Sequence, residues 1–201
     1  MREEAERGQT PLNDEQKAGL LLPLSTQAEL NAAEANAIAK ARTWAMVRSR
    51  AFSSGQVLRE DWLKRLHKRM FDSIWKWAGT YRRADVNIGN VSWPQVPTAM
   101  QEALGDATFW VDNREDNNMT MVEVAVRVQH KFVVVHPFPN GNGRWSRLVA
   151  DLIMRSQGAQ QLSWGGGKNL GTDADARRSY LAALRAADGG DFQELITFAQ
   201  S

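Results

Sequence analysis

The chain has 201 residues, 43% of them hydrophobic and eight of them tryptophan, which suits one domain with a sizeable core. It contains no cysteine, so disulfides and thiolate metal sites are excluded. Its 25 Lys and Arg against 23 Asp and Glu leave a net charge of +2, too small an excess to make nucleic acid an expected partner.

The N-terminal region has no pattern typical of export or membrane insertion. Its first residues, MREEAERGQTP, lack the apolar core of a signal peptide, and no apolar run approaches the ~20 residues that span a bilayer. We therefore expect a cytoplasmic protein with no membrane partner. Residues 1–20 are predicted to form a polar N-terminal arm.

An alanine-rich stretch predicts the first helix. It begins near Ser25 or Thr26, where Thr26 and Glu29 have the spacing of a capping box, and it continues toward Arg50. Residues 21–55 are therefore predicted to form an N-terminal helical region ahead of the main domain.

A helix and then a hairpin are predicted next. Apolar residues at helical spacing favour a helix over about residues 57–77, and the basic residues of LKRLHKRM within it are interpreted as its solvated face. Between residues 84 and 96, apolar and polar residues alternate around Gly89-Asn90, which predicts a short β-hairpin. An irregular loop is the alternative for this segment.

Two more helices, over about residues 97–111 and 120–134, lead to a glycine-rich loop. The loop lies within the twelve residues HPFPNGNGRWSR, from His136 to Arg147. Main-chain N–H groups of residues 141–143 would point into one concavity there, at the start of a helix that ends near Gly158. The pattern predicts an anion-binding site at the N-terminus of this helix.

The charged side chains of this window suit phosphate chemistry. Arg144 and Arg147 are three residues apart on the predicted helix, so both guanidinium groups reach the same polyphosphate. His136, with an ordinary pKa near ~6.5, is a candidate general base. From about Asp173 onward, two short helices complete a mainly α-helical chain with a single hairpin.

The twelve-residue window resembles the Fic motif, HPFx(D/E)GNGRxxR, of the Fic/Doc family of AMP-transferring proteins. The segment GTYRRADV resembles the family's G-x-Y-R lead into its flap hairpin. The resemblance implies an all-α Fic fold with one small β-hairpin flap, a Fic core over residues 56–201, and a protein adenylyltransferase that uses ATP and Mg²⁺.

The same resemblance implies a role for each site residue. His136 would deprotonate a hydroxyl of a target protein, which attacks the α-phosphorus of ATP and expels pyrophosphate. The amides of Gly141, Asn142 and Gly143 would hold the α- and β-phosphates, Arg144 the β-phosphate region and Arg147 the γ-phosphate. Tyr180 would flank the adenine, although a core tyrosine is as well supported. The target segment would align along flap residues Asp85, Val86, Asn87, Ile88 and Val91.

One motif position departs from the family pattern. Asn140 stands where most active members have Asp or Glu to hold Mg²⁺. An amide oxygen can still bind a hard cation, but without the negative charge that favours Mg²⁺. A metal ligand and a simple turn former are equally supported for Asn140. A weaker metal site, altered donor chemistry and reduced activity all remain open.

The N-terminal helix resembles the inhibitory helix of many Fic proteins, whose motif is [S/T]xxxE[G/N]. Glu34 or Glu29 would pair with Arg147 and hold the enzyme off, but neither matches the motif completely. A capping carboxylate is the alternative for Glu29, and a solvated face for Glu34.

The whole chain looks most like the Fic subgroup called mobile mystery protein B, which implies a small helix-turn-helix partner protein. A homodimer stays open. Besides AMP transfer, two other functions remain: a non-catalytic nucleotide-binding or interaction protein that lost metal use through Asn140, and an enzyme that transfers another phosphate-containing group.

Overall fold

A computed structural model of the chain describes residues 18–24, 26–86, 91–168, 170–171 and 173–201. Within these ranges it contains eight α-helices, one 3₁₀ helix and no β-strand. The helices are α1 (Gln27–Arg48), α2 (Ser54–Val57), α3 (Glu60–Phe71), the 3₁₀ helix (Trp93–Gln95), α4 (Val96–Asp112), α5 (Met121–Val135), α6 (Asn142–Ser156), α7 (Ala174–Asp188) and α8 (Gln193–Gln200). The prediction of a mainly α-helical chain is confirmed, and most of the predicted N-terminal arm lies outside the described residues.

The first helix, α1, begins at the predicted capping box. The N–H of Glu29 donates to Oγ1 of Thr26 at 3.2 Å, and the N–H of Thr26 donates to the Glu29 carboxylate at 2.9 Å. Both bonds satisfy amides that a helix N-terminus leaves open. Further along, Arg42 forms an ion pair with the buried Asp151 of α6 at 2.9 Å. The helix is therefore attached to the motif-bearing helix α6 by a charged pair as well as by apolar packing.

The prediction of one helix over residues 57–77 is wrong. Ser53 caps the short α2, and α3 begins only after an extended Arg59. Beyond Phe71 the main chain turns toward the N-terminal segment: the carbonyl of Ile74 accepts from the N–H of Leu21 at 2.7 Å. Peptide groups that would have extended the helix are bonded to that segment, which ends α3 early.

The central helices α5 and α6 pack against each other between two apolar clusters. The main cluster contains the largest fully buried side chains, among them Phe71, Trp75, Phe132, Phe138 and Trp145. The second lies against α7 and α8 and includes Met154, Tyr180, Leu184 and Leu195. The loop that joins α5 to α6 carries the sequence motif, so packing on both sides fixes its two ends.

The predicted hairpin is not seen in the described residues. Asp85, Val86 and Val91 belong to no strand, and Asn87 and Ile88 lie outside the described residues. The flanking carbonyls have another partner, because the guanidinium of Arg82 donates to Ala84 and Val91. No helix in the described part of the chain is both long and apolar enough to cross a bilayer.

Candidate active site

The motif loop is closed by its own side chains. Asn142 is buried, its Oδ1 accepting from the N–H of Phe138 at 2.9 Å and its Nδ2 donating to the Phe138 carbonyl at 2.8 Å. Gly141, with φ +80°, lies so close to Phe71 that a Cβ there would meet its ring at 2.4 Å. Only glycine fits this position, because it combines a left-handed backbone with close packing.

A buried histidine of α3, His67, forms a hydrogen bond and a ring contact with the motif loop. Nδ1 of His67 accepts from the N–H of Gly79 at 3.0 Å, so Nε2 carries the proton and donates to the carbonyl of Asn140 at 3.0 Å. Its ring stacks on Phe138 with centroids 3.6 Å apart. His67 therefore joins α3 directly to the motif loop, whereas Arg65, Lys68 and Arg69 around it are exposed, as predicted for the solvated face of the helix.

Burial keeps both histidines near the loop uncharged. It lowers the pKa of His67 to about 3, against the opposing effect of the Asn140 carbonyl, and the charge of Arg144 adds to the lowering. It lowers the pKa of His136 to about 4; the carbonyl of Val133 opposes this and the charge of Arg82 adds to it. Both imidazoles are neutral at pH 7, so His136 can accept a proton.

These two pKa values predict acid sensitivity. Between pH 6.5 and about 4 the unfolded chain binds protons at His67 and His136 that the folded chain does not, so the free energy of unfolding falls as pH falls. Two such groups give a limiting slope of about 2.7 kcal/mol per pH unit once the unfolded histidines are fully protonated, and an average of about 2 kcal/mol per pH unit between pH 7 and 5. Urea unfolding at pH 7, 6 and 5 measures the slope.

A substitution separates the contribution of His67 from that of His136. In His67→Gln the stability at pH 7 should be lower, but the slope should fall to about half. An unchanged slope in the variant would show that His67 is not the group that the folded chain keeps neutral.

Arg82 holds the backbone of the loop's histidine. Nε of Arg82 donates to the carbonyl of His136 at 2.8 Å, and its main-chain N–H donates to Pro137 at 2.9 Å. The side chain is buried, and its remaining donors reach Ala84 and Val91. His136 itself has a left-handed backbone, φ 49° and ψ 59°, at the end of α5. Arg82 therefore holds the residue before the loop and both ends of the predicted flap.

The start of α6 leaves main-chain donors for an anion. Helix geometry gives the N–H groups of Asn142, Gly143 and Arg144 no partner inside the helix. The N–H of Gly141 differs from the prediction, because it donates to Oδ1 of Asn140 at 2.7 Å. Two of the three predicted amides therefore remain open to phosphate oxygens.

Asn140 does not fit a typical magnesium site. Its side-chain oxygen already accepts from Gly141, and its carbonyl accepts from His67. Among the described residues, no group of three or more His, Asp or Glu side chains could hold a metal ion. Mg²⁺ at nucleotides is usually held by one or two carboxylates together with the phosphates, and this loop provides a neutral amide instead.

Glu34 of α1 reaches the first motif arginine, Arg144. Its Oε2 lies 2.7 Å from Nη1 of Arg144, and its Oε1 accepts from the indole N–H of Trp75 at 2.8 Å. The carboxylate is 4% exposed. The predicted pairing with Arg147 is not formed, because Trp75 aims the carboxylate at Arg144. Glu29 stays at the exposed cap of α1 and takes no part in this contact.

Arg147, the second motif arginine, contacts α7 instead of α1. Its guanidinium sits 5.2 Å from the ring centroid of Tyr180, whose hydroxyl accepts from Nε2 of Gln129 at 2.6 Å. Tyr180 is buried in the second cluster. A core tyrosine is therefore the better of the two interpretations for Tyr180, with a ring that supports Arg147.

Sequence reasoning missed three residues that shape this site: Arg82, His67 and Trp75. The G-x-Y-R resemblance contained Arg82, so a signal for it was present. His67 lay in a run of basic residues, where a single buried imidazole has no distinct pattern. Trp75 looked like an ordinary apolar residue, although a buried indole N–H needs an acceptor and thus pointed to a polar neighbour.

Comparisons with known proteins agree with this geometry. Residues 57–154 match the Fic/DOC family model. "Protein adenylyltransferase fic-1" from Caenorhabditis briggsae is 31% identical over 121 residues, which are 60% of this chain and 22% of that protein. Its counterpart from Caenorhabditis elegans is 30% identical over the same shares. The chain thus spans about a fifth of the length of these relatives.

Solved structures show the same fold. The Bartonella tribocorum BepC protein with bound AMPPNP has a TM-score of 0.62 at 16% identity, covering 90% of this chain and 89% of that one. The N-terminal FIC domain of Bep8 from Bartonella sp. 1-1C has a TM-score of 0.65 at 14% identity, covering 91% and 90%. Residues 57–154 thus match the Fic domain of the Fic/DOC family, and the fold of the chain is the fold of these solved Fic proteins.

Proposed function

We propose that this protein is a protein adenylyltransferase, which transfers AMP from ATP to a hydroxyl side chain of a target protein or of itself. One observation carries the proposal: a neutral imidazole, His136, precedes a helix N-terminus with open amides and two arginines. The relatives named protein adenylyltransferases, at about 30% identity, support the same activity.

In the proposed reaction His136 accepts the proton of the attacking hydroxyl. The hydroxyl oxygen forms a bond to the α-phosphorus of ATP as the bond between that phosphorus and the bridging oxygen breaks. Pyrophosphate leaves with the bond's electron pair, and the proton on His136 passes to solvent. The protein supplies mainly position and charge, which is the usual demand of such transfers.

The polyphosphate lies along the start of α6. The N–H groups of Asn142 and Gly143 donate to the α- and β-phosphate oxygens, and Gly141 gives the loop room to approach them. Arg144 contacts the β-phosphate region and Arg147 the γ-phosphate, while Tyr180 holds Arg147 in place. The target segment lies along the described flap residues Asp85, Val86 and Val91. Mg²⁺ would neutralise phosphate charge there, with Asn140 as a weak protein ligand at most.

Glu34 restrains the enzyme in this proposal. It occupies Arg144 with a buried carboxylate, so a β-phosphate must compete with an internal anion for the same guanidinium. The brake therefore acts on Arg144, whereas the resemblance implied Arg147.

A second candidate is a nucleotide-binding protein without catalysis. It is favoured by Asn140, which replaces a carboxylate and is already bonded to Gly141 and His67. Transfer of a different phosphate-containing group is a third candidate.

Labelled ATP separates the three candidates. The protein and its Glu34→Gly variant are incubated with ATP labelled on the α- or the γ-phosphate, with and without Mg²⁺. We expect label on protein from the α-position alone. Label from the γ-position would indicate phosphate transfer. ATP binding without incorporation of label would contradict the proposed enzyme and support the non-catalytic nucleotide-binding protein.

A further inference from the structure

A third arginine lies beside the motif, outside the residues that match the family model. Arg177 belongs to α7, beyond residues 57–154. It precedes Tyr180 by three residues, so the two side chains share one face of the helix. The ring of Tyr180 contacts the guanidinium of Arg147, so Arg177 lies on the face of α7 that is turned toward Arg147.

The charges of the two guanidinium groups act on each other. Burial lowers the pKa of Arg177, and the charge of Arg147 lowers it further. Such a pair of like charges is unfavourable without an anion between them. In the described ranges neither arginine forms an ion pair, whereas Arg144 has Glu34 and the adjacent Arg178 has Asp175.

The donors of Arg177 are incompletely used. Its Nε is buried and has no hydrogen-bond partner among the described residues, and Nη1 makes one long bond, 3.5 Å, to the carbonyl of Leu170. Arg147 points at the loop, since a Cβ on Gly143 would lie 3.7 Å from its Nη1. Arg147 therefore lies next to the open amides of α6, and Arg177, with an unpartnered Nε, lies one helical turn from the tyrosine that contacts Arg147.

We propose that Arg177 and Arg147 together bind the terminal phosphate of a nucleoside triphosphate, so that Arg177 is a third arginine of the site. The proposal rests on the function proposed above. A dianionic phosphate removes the repulsion between the two cations and accepts charge-assisted bonds from both. AMP lacks this phosphate and gains nothing from Arg177.

The test compares Arg177→Ala with Arg178→Ala, a matched control one residue away that is exposed and paired with Asp175. Both are made in the Glu34→Gly background, and calorimetry measures binding of ATP, AMP and inorganic tripolyphosphate. Arg177→Ala should weaken ATP and tripolyphosphate by about tenfold or more, the loss of one charge-assisted bond, and leave AMP unchanged. Arg178→Ala should bind all three like its parent.

Equal affinities of the Arg177→Ala and Arg178→Ala proteins for tripolyphosphate would overturn the inference. The inference would also be overturned if Arg177→Ala weakened AMP binding by the same factor as ATP binding, because Arg177 would then lie at the nucleoside. If ATP binds none of the proteins while tripolyphosphate still depends on Arg177, the anion site stands and the proposed function fails. Circular dichroism of each variant confirms that the helices are retained.

Discussion

Replacing His136 with alanine is expected to lower the rate of AMP transfer by about 10²–10⁴-fold, the usual contribution of a general base. ATP binding should stay close to that of the parent. The imidazole contributes no contact to the amides of α6 or to either motif arginine, and the backbone of this residue is held by Arg82 through its carbonyl. Transfer of α-label onto protein and calorimetric ATP binding measure the two effects.

A second substitution distinguishes a loss of catalysis from a loss of folding. His136 has φ 49°, a region that costs alanine more than asparagine. His136→Asn should therefore fold as well as the parent and lose activity to the same extent. Transfer by either variant within threefold of the parent would remove His136 from the mechanism.

Replacing Glu34 with glycine is expected to raise AMP transfer by about ten- to hundredfold. The carboxylate holds Arg144 through a 2.7 Å contact with little access to water. A hydrogen bond to a charged group contributes about 1.5–3 kcal/mol, which sets the size of the expected gain when phosphate no longer competes. Self-modification with α-labelled ATP measures the change.

The rest of α1 should stay attached in this variant, because Arg42 still pairs with Asp151 and apolar contacts remain. Glu34→Gln keeps the bond to the Trp75 indole and removes only the charge, so it should also activate. Glu29→Gly is the matched control: it removes an exposed helix cap at a cost of about 1 kcal/mol of stability and should leave transfer unchanged. If neither Glu34 variant is more active than the parent, Glu34 is not a brake.

Much of the fold could be predicted from sequence because its signals are local. Capping at Thr26, the apolar pattern of α4 to α6 and the glycines after α6 are read over a few residues, and the helices they predict are confirmed. The helix over residues 57–77 failed because a distant segment, near Leu21, binds the main chain around Ile74. The residue pattern of segment 57–77 alone does not predict a contact with such a distant segment. The boundaries at residues 20, 55 and 56 stay a prediction.

The site, too, has parts that local sequence predicted and parts that depend on distant contacts. The order of His136, the glycines and the arginines was visible, since a loop and the following helix place them by chain connectivity alone. The partner of Glu34 was not, because it depends on Trp75, which comes from another element 41 residues away. The proposed role of Arg177 could not be predicted either, because it depends on the contact between Tyr180 of α7 and Arg147 of the motif helix.

The bonds of Arg82 have a mechanical consequence. The planar guanidinium of Arg82 donates to the carbonyls of His136, Ala84 and Val91. The last two border the stretch where a protein substrate would lie. A shift of Ala84 or Val91 would therefore pull on the backbone of His136, so in the proposed reaction an incoming polypeptide and the imidazole would move together. An ammonium group lacks the rigid fork and could not couple the two in this way.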